Sequence, residues 1–203
     1  MATGLAEDCT PFPATDAMTI CKQGLPIVAC HDGPHTTSFC AIVTAAGGYC
    51  VDSWNSAVTH TVVLCEPQLM AINKSVRFIM GIAAGTWVVS DAWKEACIAA
   101  KQIVPCEPFE VIALDGCGET FHYGPRRSRE ARERGEPRLF TGYKFFCALN
   151  KQDVLYTPAL VLAAGGELLP SLSALVEAAH GVDPERTILL GEFRFCGCDL
   201  CSS

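Results

Sequence analysis

Ser75-Val76-Arg77-Phe78-Ile79-Met80-Gly81-Ile82-Ala83-Ala84-Gly85-Thr86-Trp87-Val88-Val89-Ser90-Asp91-Ala92-Trp93 decides the fold. Val76, Phe78, Ile79 and Ile82 place apolar residues on one side of a helix from about Ser75 to Ile82. That helix runs out near Gly85, where glycine accepts the left-handed conformation of a helix end. Thr86-Trp87-Val88-Val89 follows as a short continuous apolar run. A strand with no polar alternation is buried on both faces, as in a parallel sheet covered by helices. Ser90 is placed to cap the next helix, which carries Trp93, Cys97, Ile98 and Lys101 and stops before Pro105.

Upstream, the same grammar continues. Leu25-Pro26-Ile27-Val28-Ala29-Cys30 reads as a buried strand, turned at His31-Asp32-Gly33-Pro34. Phe39, Ile42, Val43 and Ala46 recur at helical spacing, with Thr36 or Thr37 as the cap and Gly47-Gly48 as the stop. Tyr49 to Val51 and His60 to Cys65 read as two more strands, and Pro67 as the opening of a helical turn. The order is β-α-β-β-α-β-α, an α/β unit around a largely parallel sheet.

Downstream, residues 113–137 read as a linker. Gly124-Pro125-Arg126-Arg127 starts a run of interleaved Arg and Glu through Arg134, expected to form a solvated helix; a partner-docking or nucleic-acid patch is the alternative. The pattern then restarts. Leu139-Phe140 and Tyr143 to Cys147 suggest a strand, Thr157-Pro158 opens a helix, and Gly165-Gly166 ends it. Ser171 to Ala179 reads as helix and Arg186 to Leu190 as strand. Strand, helix and Gly-Gly thus occur twice, which is an internal repeat. The expected organisation is an arm over 1–24, a first repeat over 25–112, the linker over 113–137 and a second repeat over 138–203.

Composition narrows the function classes. Half of the 203 residues are apolar, so a core can form, and the net charge of −7 argues against broad nucleic-acid binding. Glu7 and Asp8 stand where a secretory signal would be cationic, and no apolar run reaches membrane-helix length. The 13 cysteines are therefore expected as reduced, mostly buried thiols in an intracellular chain.

The Ser75–Trp93 stretch, the Trp93-x3-Cys97 spacing, the two Gly-Gly turns and the Gly-Pro-Arg-Arg linker start together resemble the BRCT family in its tandem, phosphopeptide-binding form. The resemblance is strong over residues 25–112 and weaker over 138–192. It implies two parallel sheets flanked by helices, an interaction module rather than an enzyme, no cofactor, and a nuclear role in DNA repair, checkpoint signalling or chromosome segregation. A narrower likeness, to the BRCT region of unconventional kinetochore proteins of kinetoplastids, rests on no unique motif. The implied partner is a phosphorylated protein segment, with no membrane and no nucleic acid.

The resemblance also implies a phosphate site in the first repeat. Arg77, near a helix start, is the expected phosphate ligand. Free N–H groups and the helix dipole favour an anion there, and a guanidinium grips two oxygens at once. Lys74 is expected to contact the peptide beyond the phosphate, and Ser75 to offer a hydroxyl. The plain alternative is an arginine that snorkels from a helix into water. The family's Ser/Thr-Gly pair falls here on Cys30-His31. A thiol is a weak donor, while a protonated His31 would make binding pH-dependent. Thr36 or Thr37 is a second source of the hydroxyl, and loss of phosphate selectivity is the third reading. The second repeat departs too: no Trp follows Trp93, so it is expected to be shortened or rebuilt.

Other chemistry is thinly represented. Cys196-x-Cys198-x2-Cys201 offers three soft metal ligands, with His180 a conceivable fourth, but plain tail thiols account for it better and no metal is expected. Cys30 beside His31 does not make a nucleophile and base, because neighbours on a strand point to opposite faces. No phosphate-binding loop, dinucleotide fingerprint, metalloprotease or serine-hydrolase motif is present.

Overall fold

Strand β1 (Val28–His31) lies inside a four-stranded sheet with β2 (Tyr49–Val51) on one side and β3 (His60–Val63), then β6 (Trp87–Ser90), on the other. All its pairings are parallel, with Cys30 opposite Val51, Ala29 opposite His60 and Val62 opposite Val89. The computed structural model describes residues 27–31, 37–114, 122–148, 156–181 and 184–191. The expected arm and the Cys196, Cys198 and Cys201 cluster lie outside these residues, as do Leu25, Pro26 and the turn after His31.

Helices α1 (Thr37–Ala45) and α3 (Asp91–Ala100) cover one face of this sheet and α2 (Val76–Ala84) the other. The core beneath α1 and α3 is built from Phe39, Val43, Val62, Val89, Trp93 and Cys97, all almost fully buried. Trp93 anchors it: Phe39 meets its ring edge-on, His60 stacks on it at 5.4 Å, and its indole N–H donates to the Val104 carbonyl at 2.9 Å. The Gly-Gly turn has a steric cause. Gly47 is left-handed at φ +80°, and a side chain on Gly48 would collide with the Ile27 carbonyl oxygen.

A small second sheet joins β4 (Cys65–Glu66), β5 (Met70–Ala71) and β7 (Ala113–Leu114). Strands β4 and β5 form an antiparallel hairpin, so Pro67 sits in its turn and does not open a helix. The expected linker therefore begins with a strand. It continues in α4 (Gly124–Glu133), which is not the solvated helix expected from its charge pattern, because Pro125 and Arg129 are buried. Interleaved charge at helical spacing is compatible with either outcome; which arginine finds a buried acid is a tertiary matter.

The second repeat builds the third sheet, ordered β10 (Thr187–Gly191), β8 (Lys144–Ala148), β9 (Glu167–Leu168), again parallel. Strand β8 takes the place of β1, with β9 and β10 in the places of β2 and β3. Helix α5 (Thr157–Ala163) connects β8 to β9 and helix α6 (Leu172–Gly181) connects β9 to β10. Among the described residues this sheet has no counterpart of β6, and no helix bears a tryptophan. The two repeats meet where Met80 and Ala84 of α2 pack against Ala163 of α5, with Trp54 and Leu160 at the margin.

Candidate functional site

Helix α2 is fixed at its start by its own sequence. Ser75 is its N-cap, with an extended backbone and a hydroxyl oxygen that accepts the Phe78 N–H at 3.1 Å. The cap holds Lys74 outside the helix, exposed to solvent, and Arg77 in the first turn. Arg77 is half-buried, and its guanidinium donates to the Asp52 carbonyl at 2.7 Å. Asp52 follows Val51, which lies opposite Cys30 in the sheet. One hydrogen bond thus draws the guanidinium to the carboxyl ends of β1 and β2. In open parallel sheets, ligands bind at that end.

Lys74, Ser75 and Arg77 therefore gather at one helix start beside the end of β1, where the sequence places Cys30 and His31. Those two are less available than a rim residue would be. Cys30 is fully buried with Val28 and Val58, and His31 is 3% exposed, edge-on to Phe39 at 6.4 Å. Thr37 is exposed at the start of α1. Thr36 and Gly33 fall outside the described residues.

Sequence reading missed a heavily bonded buried carboxylate. Glu110 lies 2% exposed in the apolar run Phe109-Glu110-Val111, bridged to Val89 of the sheet. It accepts two hydrogen bonds from Arg129, at 2.7 and 3.0 Å, and one from Arg126 at 3.0 Å. The Arg129 guanidinium also lies 3.9 Å over the Trp87 ring and bonds Glu133 at 2.9 Å. Burial alone would make Arg129 a weaker base, but the Glu110 and Glu133 carboxylates outweigh it and hold the group firmly charged. This network clamps α4 to the first repeat. A lone acid inside an apolar run was the available signal.

Two of the described thiols are held in the protonated form. Burial pushes Cys97 up to about 11, and burial together with the Cys40 thiol pushes Cys50 up to about 12. Among the described residues no three potential metal ligands converge.

No family model matches the chain. In sequence it is similar to the BRCA1-associated RING domain protein 1 of Arabidopsis thaliana, 34% identical over 141 residues, covering 66% of this chain and 19% of that protein. It is also similar to the Breast cancer type 1 susceptibility protein homolog of Mus musculus, 31% identical over 96 residues, covering 47% of this chain and 5% of that protein. The chain spans a fifth or less of the length of these curated relatives. In structure it resembles the S. pombe Brc1 BRCT5-BRCT6 domains, with a TM-score of 0.51 and 18% identity, covering 71% of this chain and 66% of that one.

Proposed function

The chain belongs to the tandem BRCT family, and on that premise we propose that it is a phosphopeptide-binding interaction module of a nuclear protein in the DNA damage response. The observation that carries the proposal is the placement of Arg77, in the first turn of a capped helix and bonded at the carboxyl end of the sheet. A guanidinium there stands beside a helix start whose dipole favours an anion, and its fork matches two phosphate oxygens at once. Lys74, one step outside the cap, is free to meet the peptide beyond the phosphate. Ser75 keeps its hydroxyl hydrogen as a donor, since its oxygen serves the cap. Recognition is differential binding: charge-assisted bonds read the phosphate and the neighbouring surface reads sequence.

The module works by docking and not by catalysis. Checkpoint signalling is a compatible setting. Kinetochore work in chromosome segregation is the narrower alternative, and the relatives compared do not bear on it.

The test is binding of matched phosphorylated and unphosphorylated peptide libraries, with Arg77→Ala beside the parent chain. Phosphate-dependent binding that Arg77→Ala removes without unfolding is the expected result. Equal binding of both libraries, or no effect of the substitution, overturns it. That outcome favours a second reading, a structural BRCT pair that docks an unmodified protein. The burial of Cys30, in the place of the family's hydroxyl, is the observation on its side.

A further inference from the structure

Two arginines, Arg132 in the linker and Arg138 directly after it, behave alike at the two repeats. Helix α2 ends in left-handed Gly85, and the Arg132 stem lies where a side chain on that glycine would be, 2.9 Å from the position of its Cβ. Arg132 then donates to the Ala84 carbonyl at 2.8 Å. Helix α5 leads into left-handed Gly165, and the Arg138 stem lies 2.9 Å from the corresponding Cβ position. Arg138 donates to the Ala163 carbonyl at 3.2 Å. Each guanidinium thus sits on a helix C-terminus, one from each repeat, in a place only glycine leaves open.

Both arginines line one cleft of about 260 Å³ between the repeats, together with Trp54, Asn55, Ser56 and Leu162. Among the described residues neither has a carboxylate partner. The acids nearest in sequence are engaged elsewhere, Glu133 by Arg129 and Glu130 and Glu136 by Arg134. A helix C-terminus carries about half a negative charge, so two of them offset roughly half of the two positive charges. Each guanidinium has five N–H donors and spends one on its helix end. Burial first, and then the neighbouring Arg138 charge, weaken Arg132 as a base. Trp54 adds a buried indole N–H that has no hydrogen-bond partner, and the Asn55 side-chain oxygen is taken by the Ala57 N–H, which leaves its amide hydrogens as donors.

We infer that the cleft between the repeats is a second anion site, in which Arg132 and Arg138 bind one compact oxyanion, a phosphate or carboxylate carried by the docking partner. It lies at the opposite end of α2 from Arg77, about 10 Å away at 1.5 Å per residue. It does not depend on the Arg77 site.

The test follows the three indole N–H signals of the nitrogen-15-labelled chain during titration with inorganic phosphate and, separately, acetate, at constant ionic strength. Trp54→Phe assigns its signal. The expected result is a saturable shift of the Trp54 signal while that of Trp93, bonded to Val104, stays in place. Arg132→Gln with Arg138→Gln removes the shift, and Arg77→Ala leaves it. A response to acetate as well as phosphate assigns the site to oxyanions in general; a response to phosphate alone assigns it to phosphorylated partners. The inference is overturned if no saturable shift occurs, if the shift survives the double substitution, or if Arg77→Ala abolishes it. Should the double variant melt early, the single exposed change Arg138→Glu gives the same readout.

Discussion

The two repeats share one strand order and differ in how they are held. In the first, four parallel strands are covered by helices on both faces, and Trp93, Phe39 and His60 are almost fully buried. In the second, the described sheet has three strands, every residue of β10 is only partly buried, and the fully buried apolar side chains reduce to Phe145, Val161, Leu175 and two alanines. The first core clusters contain only residues of the first repeat and the segment that follows it, whereas the buried residues of α5 close a cluster with Met80 and Ala84. The lesson is a hierarchy: the first repeat supplies its own core, and the second is held largely by docking on α2 and the linker.

The sharpest way to break that comparison is at the two aromatic anchors. Trp93→Ala should cost about 3–5 kcal/mol for the cavity and about 1–3 more for the orphaned Val104 carbonyl, and should unfold both repeats. Phe145→Ala should melt the second sheet and spare the first. Hydrogen exchange decides it: β1 and β3 amides stay protected in Phe145→Ala and lose protection in Trp93→Ala. If Phe145→Ala exposes β1 and β3 equally, the repeats fold as one unit and the hierarchy is wrong.

Next in size is the clamp. Glu110→Ala leaves Arg129 charged and buried without its main partner, at a cost of about 3–5 kcal/mol by denaturant titration. Glu110→Leu with Arg129→Met should recover most of it, since a buried ion pair owes much of its apparent worth to the penalty of breaking it.

Acid should strike the first repeat before the second. Burial pushes His60 from 6.5 down to about 4, so the unfolded chain takes up this proton first. Stability from this group is complete above pH 6.5, falls as pH drops toward 4 and levels off below, a loss of about 3 kcal/mol. Strand β10, the counterpart of β3, carries no histidine. His60→Phe should flatten the profile of thermal midpoint against pH in that window; an unchanged slope would assign it elsewhere.

The smallest effect separates the two Gly-Gly turns. Gly48→Ala drives a methyl group onto the Ile27 backbone, whereas Gly166→Ala meets the Val161 and Phe145 side chains at 2.8 and 2.9 Å. Side chains yield and backbone does not, so Gly48→Ala should lower the melting midpoint more, with Gly166→Ala costing about 1–3 kcal/mol. Equal losses would mean that the second turn is as tightly held as the first.

Much of the candidate site was legible because it is local. The apolar spacing from Val76 to Ile82 announces the helix and so where Lys74 and Arg77 stand, while the cap by Ser75 was found in the structure. The burial of Cys30 was expected from its buried strand, but that of His31 was not legible: its place before Asp32-Gly33-Pro34 reads as a turn, whereas the strand runs on through it. The linker shows the same limit: its spacing predicted a helix, and its charges predicted exposure for a helix that is in fact clamped.

The sequence by itself determined the helices and main strands of both repeats and their order, because periodicity, capping residues and left-handed glycines act over a few residues; the β4–β5 hairpin and β7 escaped it. Only the tertiary structure decided that Glu110 and Arg129 pair, that Arg77 reaches Asp52, and that Arg132 and Arg138 share one cleft. Those contacts join residues 19, 25 and more positions apart. Their energy depends on burial and on the neighbours that folding assembles, and no local pattern encodes it.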